Sequence, residues 1–229
     1  MSENKKIIAL LPLKAHSSRV KGKNFRLLAG KPLFAWILDT LLSIPEISQI
    51  VINTDAREML IENGLEESER VLIRDRKSEL CGDEVSMNLI LEDDIKNTSA
   101  DIYLMTHTTN PLLSASTIKS ALNEFIGNNN KSANDSLFTV NRLQTRFYNE
   151  DCTPINHDPD NLIPTQNLEP WYEENSCLYL FTKESFISTN ARIGQKPMLF
   201  ETPRLESIDI DEEEDWLLAE SLANSLLNR

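Results

Sequence analysis

The chain has 229 residues, a length that fits one or two domains at roughly 150 residues each. Hydrophobic residues make up 40% and charged residues 26%, which excludes a disordered or fibrous chain, and a net charge of −13 disfavours a generic nucleic-acid binder, whose phosphate contacts need a basic surface. Three scattered cysteines (Cys81, Cys152, Cys177) suit neither a disulfide framework nor a zinc site, and the absence of both a long apolar run and a signal-peptide core sets the expectation of a cytoplasmic protein with no membrane partner.

Ile7 to Leu11 is a short apolar run, the mark of a buried strand. A basic, polar stretch follows from Lys14 to Lys31. Pro32 then opens a helical pattern with Leu33, Trp36, Ile37, Thr40 and Leu41 on one face, where its missing N–H costs nothing. Gln49 to Asn53 is a second strand, ending in Thr54-Asp55, and Val71 to Ile73 a third. Val85 to Ile95 has helical spacing, Ile102 to Met105 is a fourth strand, and Ser116 to Ile126 is a helix capped by Ser114 or Ser116. After a strand at Ser136 to Val140, the stretch from Asn141 to Asn175 is polar and rich in Asn, Asp and Pro. It is too long for a plain loop, so 141–175 is expected to form an arm. Strands at Cys177 to Phe181 and Met198 to Phe200 and a helix from Glu212 to Leu227 complete the chain. Strands alternating with helices predict a single α/β domain over residues 1–229, three-layered around a mainly parallel sheet. Ligands of such sheets bind beyond the carboxyl ends of the strands, which places the segments after Leu11, Asn53, Ile73 and Met105 along one rim.

Charge is unevenly distributed. Between Asn4 and Leu38 there is no Asp or Glu, while the stretch holds Lys5, Lys6, Lys14, Arg19, Lys21, Lys23, Arg26 and Lys31. An acidic protein that keeps one basic segment near its start is arranged to meet an anion. Lys14, Arg19 and Lys23 with the hydroxyls of Ser17 and Ser18, on a loop leaving a strand, can neutralise a polyanion such as a phosphate chain; the plainer alternative is a solvated basic loop. There is no Walker sequence. At the other end, Ser207-Ile208-Asp209-Ile210-Asp211 places two carboxylates at i and i+2, on the same side if extended. Such a pair suits Mg²⁺ carried by substrate phosphates; the alternative is the acidic start of a helix, which Glu212 to Asp215 fit well. His16 and His157 are expected at the surface, Cys81 in packing, and Trp36 and Trp216 in the core. Trp171 is open between a dimer interface, a ligand contact and local packing.

Together these segments resemble the acylneuraminate cytidylyltransferases, or CMP-sialic acid synthetases. Lys14 to Asn24 is similar to that family's loop A-R-x-x-S-K-R-x-x-x-K-N, and Gly30-Lys31-Pro32-Leu33 to the G-K-P that follows. Ile50 to Asp55 resembles its V-S-T-D strand end, and Arg74, Leu80, Asp83 and Ser86 its R-P…L…D…S region. Thr109 to Leu112 resembles T-S-P-L, Gln166 to Leu168 and Tyr172 to Asn175 resemble Q-x-L and Y-x-E-N, and Ser207 to Asp211 matches S-I-D-I-D. The blocks keep family order over nearly the whole chain. The resemblance implies a Rossmann-like nucleotidyltransferase domain, CTP and an acidic 2-keto sugar as substrates, Mg²⁺, a role in glycan biosynthesis, and a homodimer whose arm reaches into the partner. By motif, Lys14, Arg19, Lys23 and Asp211 would be catalytic. Ser17, Ser18, Asn24, Arg74 and Ser86 would hold CTP, His107, Gln166 and Asn175 would line the sugar site, and Asp209 and Asp211 would hold the metal. The implied reaction activates a sialic-type nonulosonic acid. Its alternatives are legionaminate, pseudaminate or octulosonate as the acid, or a weakened homologue that binds nucleotide. The chain departs from the pattern at Lys14, at Ala15-His16 in place of a Gly pair, at Ser18, at His107 in place of Gln and at Leu113 in place of Arg.

Overall fold

A computed structural model describes residues 5–129 and 134–227. Its elements in chain order are β1 (Ile7–Leu10), β2 (Leu27–Leu28), β3 (Lys31–Pro32), α1 (Leu33–Leu42), β4 (Ile47–Thr54), α2 (Arg57–Glu62), β5 (Val71–Asp75), α3 (Met87–Asn97), β6 (Ile102–Thr106), α4 (Ala115–Asn129), β7 (Ser136–Leu143), β8 (Trp171–Phe181), α5 (Lys183–Thr189), β9 (Pro197–Glu201) and α6 (Glu213–Leu227). Seven strands form one sheet in the order β5-β4-β1-β6-β8-β7-β9. Only β8 runs against its neighbours; β5, β4, β1 and β6 pair in parallel, as do β7 and β9.

All four residues of β1 are buried, because a parallel strand in mid-sheet is covered on both faces and reads as a continuous apolar run. On one face Ile7, Ala9, Ile50, Ile52 and Leu104 pack with Phe34, Ile37 and Leu41 of α1 and Ile118, Leu122 and Phe125 of α4. On the other, Ile8, Leu10, Val51, Tyr103 and Met105 meet Leu91 and Ile95 of α3 and Phe186 of α5. The expected three layers are therefore present. Pro32 occupies the position just before α1 rather than its first turn, and Ser114 caps α4, its Oγ accepting from the Thr117 N–H at 3.2 Å.

The sheet grows from β1 through β4 to β5, then returns to place β6 on the other side of β1. This reversal opens a crevice between the carboxyl ends of β1 and β6, the usual ligand position in such folds. A third apolar cluster closes one side of it. Val20 from the loop after β1, Leu28 and Leu33 pack against Leu112, Ile210, Trp216, Ala219 and Ala223, so α6 clamps the loop from outside. Trp216 is 1% exposed, and removing such a ring costs about 3–5 kcal/mol. The turn between β2 and β3 has positive φ at Ala29 (46°) and Gly30 (85°), the backbone a two-residue hairpin needs.

Residues 144–170 carry no strand or α-helix, only a 3-10 turn at Thr165–Asn167 and an isolated bridge between Tyr148 and Pro154. Phe147 stacks on Trp171 at 5.0 Å, and Tyr148 meets His157 edge-on, with His157 Nε2 2.9 Å from the Tyr148 hydroxyl. His157 is thus half-buried in a local pair rather than exposed. Trp36 is likewise only half-buried, its Nε1 donating to the Leu28 carbonyl at 3.0 Å. Among the described residues no helix is long and apolar enough to cross a membrane.

Candidate active site

The crevice holds two adjoining hollows. One is lined by Pro12, Leu13, Lys14, Ser17, Lys23, Asn24, Arg76, Met87, His107, Thr108 and Thr109. The other shares Lys14, Ser17, Lys23, His107 and Thr109 and adds Ser18, Arg19, Ser176, Asp209 and Asp211. The basic loop after β1 and the acidic pair before α6 thus face each other, although they are nearly two hundred residues apart.

Each part is positioned by identifiable bonds. Asn24 is buried; its Nδ2 donates to the Lys14 carbonyl at 2.8 Å and its Oδ1 accepts from Thr108 at 2.6 Å, which ties the two ends of the loop to each other and to the segment after β6. The Ala15 N–H donates to Asp55 at 2.7 Å, fixing the loop to the end of β4. Lys23, 8% exposed, donates to the Ile210 carbonyl at 2.6 Å and lies 3.4 Å from Asp211. Arg19 reaches the same Asp211 oxygen at 2.8 Å, and Lys14 pairs with Asp83 at 2.6 Å. The Ile210 N–H donates to the Thr109 carbonyl at 2.9 Å, locking the acidic segment against the segment after β6.

The two readings of the acidic segment divide between different residues. Asp215 accepts from the Asp211 and Glu212 N–H groups at 3.0 and 2.7 Å, so it is the carboxylate that satisfies the start of α6. Asp209 and Asp211 turn into the cleft. Burial pushes the Asp209 carboxyl up from its ordinary value, an effect that Thr109 partly relieves and the Asp211 charge adds to. Asp209 Oδ1 is buried without a hydrogen-bond partner. A carboxylate oxygen left bare in this way suits a hard cation. Among the described residues no three His, Cys, Asp or Glu side chains gather into a cage. The donor set fits Mg²⁺, which takes one or two protein carboxylates and completes its shell with phosphate oxygens and water, better than an ion that needs an all-protein site.

His107 lines both hollows. Burial, then the nearby Arg192 cation, pushes its imidazole down to about 3, so it is neutral at physiological pH.

Four residues expected in the site are not brought to it. Arg74 turns away from the cleft and pairs with Asp93 (2.8 Å) and Asp94 of α3. Arg76, just past the end of β5, lines the cleft instead, and its guanidinium donates to Asn53 Oδ1 (3.0 Å), the Asn53 carbonyl (2.8 Å) and the Leu13 carbonyl (3.0 Å). Ser86 is spent as the cap of α3, its Oγ accepting from the Asn88 N–H at 3.4 Å, and Met87 lines the cleft beside it. Asn175 is buried and gives its amide to Thr202 (2.7 Å) and Asn141 (3.1 Å); its neighbour Ser176 faces the cleft instead. Gln166 is exposed on the arm, its carbonyl accepting from Gln144 at 2.9 Å. Arg76, Thr108, Thr109 and Ser176 are site-lining residues that sequence reasoning missed.

These features coincide with known proteins. The family model described as cytidylyltransferase matches residues 8–221. The chain is 28% identical over 232 residues to the CMP-N,N'-diacetyllegionaminic acid synthase of Legionella pneumophila, covering 95% of this chain and 96% of that one. It is 25% identical to the pseudaminic acid cytidylyltransferase of Campylobacter jejuni, with 95% and 96% covered. It is 26% identical to the N-acylneuraminate cytidylyltransferase of Oncorhynchus mykiss, of which it spans only 50%. In fold it is similar to 4-diphosphocytidyl-2C-methyl-D-erythritol synthase from Anaerococcus prevotii (TM-score 0.69, 13% identity, 97% of each chain). It is similar as well to a CMP:2-keto-3-deoxy-manno-octonic acid synthetase complexed with CTP (TM-score 0.64, 14% identity, 96% of this chain and 99% of that one). Loop, acidic pair, sheet order and match along the chain agree: the protein belongs to the cytidylyltransferase family.

Proposed function

We propose that this protein couples CTP to an acidic 2-keto sugar of the sialic type, giving the CMP-sugar and pyrophosphate. The observation that carries the reading is the cleft itself, where Lys14, Arg19 and Lys23 on the loop after β1 face Asp209 and Asp211 across the sheet's switch point. The sugar's anomeric hydroxyl attacks the α-phosphorus and pyrophosphate leaves, so the work of the protein is positioning and charge stabilisation. Arg76 and Asn24, which line the first hollow, would face the nucleoside. Lys14, Arg19 and Lys23 take up charge on the triphosphate. In doing so they exchange partners: Lys14 leaves Asp83, an exposed pair whose rupture costs little. Asp209 and Asp211 would hold Mg²⁺, which when bound offsets phosphate charge and favours ionisation of the attacking hydroxyl.

The arm at 141–175, with Trp171 and Tyr172 exposed at 41% and 48%, is read as the dimer contact through which Gln166 serves the partner's sugar site. Cys81, Cys152 and Cys177 are all free thiols, in keeping with a reducing cytoplasm. The test is incubation with each nucleoside triphosphate, Mg²⁺ and a panel of acids (N-acetylneuraminate, legionaminate, pseudaminate and octulosonate), following pyrophosphate. Release with CTP and one acid is expected, with UTP much poorer; equal rates with UTP, or no release with any acid, would overturn the reading.

A further inference from the structure

Arg192 lies outside every role given so far. It follows α5 in a bend that begins at Asn190 (φ 52°), and its main-chain N–H donates to Asn88 Oδ1 at 3.3 Å. Its guanidinium sits over the Tyr179 ring, 3.8 Å from the centroid, and the side chain is only 21% exposed. A cation so enclosed needs its charge met closely. Here it is met at arm's length. Glu174 Oε1 stands 3.5 Å from Nη2 and already accepts from the Tyr179 hydroxyl. Nη1 is directed at His107 Nε2 at 3.5 Å and Met105 Sδ at 3.9 Å. His107 is neutral and supplies no counter-charge.

The cations that line the two hollows differ. Lys14 and Arg19 have carboxylates at 2.6 and 2.8 Å, Lys23 has a carbonyl at 2.6 Å, and Arg76 spends its donors on Asn53 and Leu13. Arg192 is thus a planar fork held in place by an aromatic face, with Nη1 directed at His107, which lines both hollows, and with no carboxylate closer than 3.5 Å. A carboxylate matches that fork in shape as well as charge. His107 stands between Arg192 and the two hollows, so an anion there lies close to the phosphate site without sharing its cations.

We propose that Arg192 reads the carboxylate of the acidic sugar, its Nη1 edge and the His107 ring forming the acid end of the cleft while Glu174 and Tyr179 hold the guanidinium in place. The proposal rests on the cytidylyltransferase reading above. Because His107 presents Nε2 to the guanidinium as an acceptor, its ring proton is on Nδ1, free to serve as a second donor. Arg192 is then a specificity-determining residue for the acid and not for the nucleotide.

The test uses the whole chain as parent, Arg192→Gln and Arg192→Lys. Thermal melts check folding, calorimetric titration gives the CTP affinity, and pyrophosphate release gives KM for the best acid of the panel and for its methyl ester. The expected result for Arg192→Gln is a rise in KM for the acid of about 10²-fold, the loss of a charge-assisted forked contact, with CTP affinity within threefold of the parent. Arg192→Lys keeps charge without the fork and should fall between, and it carries the test if the Gln variant fails to fold. On the neutral ester, parent and variants should converge. A change in KM for the acid below threefold overturns the inference while leaving cytidylyl transfer standing. So does a parallel loss of CTP affinity, which would assign Arg192 to the nucleotide. A parent that binds CTP but turns over no acid in the panel overturns it too, and a parent that does not bind CTP removes the reading on which it rests.

Discussion

At the loop end of the cleft, Lys14 and Arg19 hold carboxylates at 2.6 and 2.8 Å and Lys23 a carbonyl at 2.6 Å; at the His107 end, the Arg192 guanidinium has its nearest carboxylate at 3.5 Å. The first end is pre-paired, so the free protein does not carry three mutually repelling cations, and a triphosphate enters by replacing partners. The second end is held by stacking and enclosure, so its charge stays available. A site that takes a polyanion and a single carboxylate can use both solutions, and the difference shows in what each substitution should do.

The comparison breaks most sharply at Asp211. Its sequence position suggests repulsion with Asp209, so that Asp211→Asn would be neutral or stabilising without metal. The structure reverses that expectation, because Asp211 is the shared partner of Arg19 and Lys23. Asp211→Asn should lower pyrophosphate release about 10³-fold through loss of a metal ligand, and also lower stability by about 1 kcal/mol through the lost charge-assisted bonds. A variant that keeps more than half the parental rate at low-millimolar Mg²⁺ would remove Asp211 from the site. Lys23→Ala should cost about 10²-fold in kcat/KM, the worth of a donor aimed at developing charge; a loss under threefold would move the phosphates elsewhere. Arg76→Ala and Arg74→Ala sharpen the nucleoside end. The first strips the Asn53 and Leu13 oxygens of their donor, so it should lower stability by about 1–3 kcal/mol and, by loosening the end of the loop, raise KM for CTP roughly tenfold. The second takes the cation from buried Asp94, while Asp93 keeps Lys77, and should cost roughly 3 kcal/mol of stability with KM almost unchanged. The opposite pattern in steady-state kinetics and melts would restore Arg74 to the cleft.

The smallest effect is in pH. Burial pushes the Asp94 carboxyl up to about 6 from 3.8, despite its bonds to Asn53 and Arg74. Between those values the folded protein binds more protons than the unfolded chain. Its stability from this group is therefore greatest below about pH 4 and falls as pH rises through about 6, by roughly 1–3 kcal/mol. Asp93 opposes this only at lower pH: Lys77 and Arg74 outweigh its own burial and hold it below its ordinary value. Denaturant melts of the parent and Asp94→Asn from pH 4 to 7 should show a steeper decline in the parent, and parallel curves would refute the assignment.

The strands of the parallel half were legible because burial on both faces leaves apolar runs such as Ile7 to Leu10. The helices α2 and α5 were not, being six and seven residues long and held by packing rather than by their own periodicity. The strand β8 was placed from Cys177, yet it begins at Trp171. Its first four residues are exposed and pair only with β7, so no alternation marks them. The basic loop and the acidic pair could be found from charge alone. Arg74 and Arg76 could not be separated, since alternation puts both on one face only while the strand continues, and it stops at Asp75. Asn175 and Ser176 show the same limit: a single left-handed residue decides which of the two faces the cleft.

That residue, Ser176, has φ 58°, a conformation that costs an L-residue about 1–2 kcal/mol and glycine almost nothing. Its hydroxyl meets the Tyr179 hydroxyl at 3.2 Å, next to the carboxylate that holds Arg192. Replacement by glycine should therefore raise the melting temperature while loosening the aromatic platform beneath the guanidinium. A chain with only 6 glycines has kept a side chain where the backbone favours none, and the position separates robustness from discrimination: a library selected for heat tolerance should drift to glycine there, and one selected for choice of acid should not.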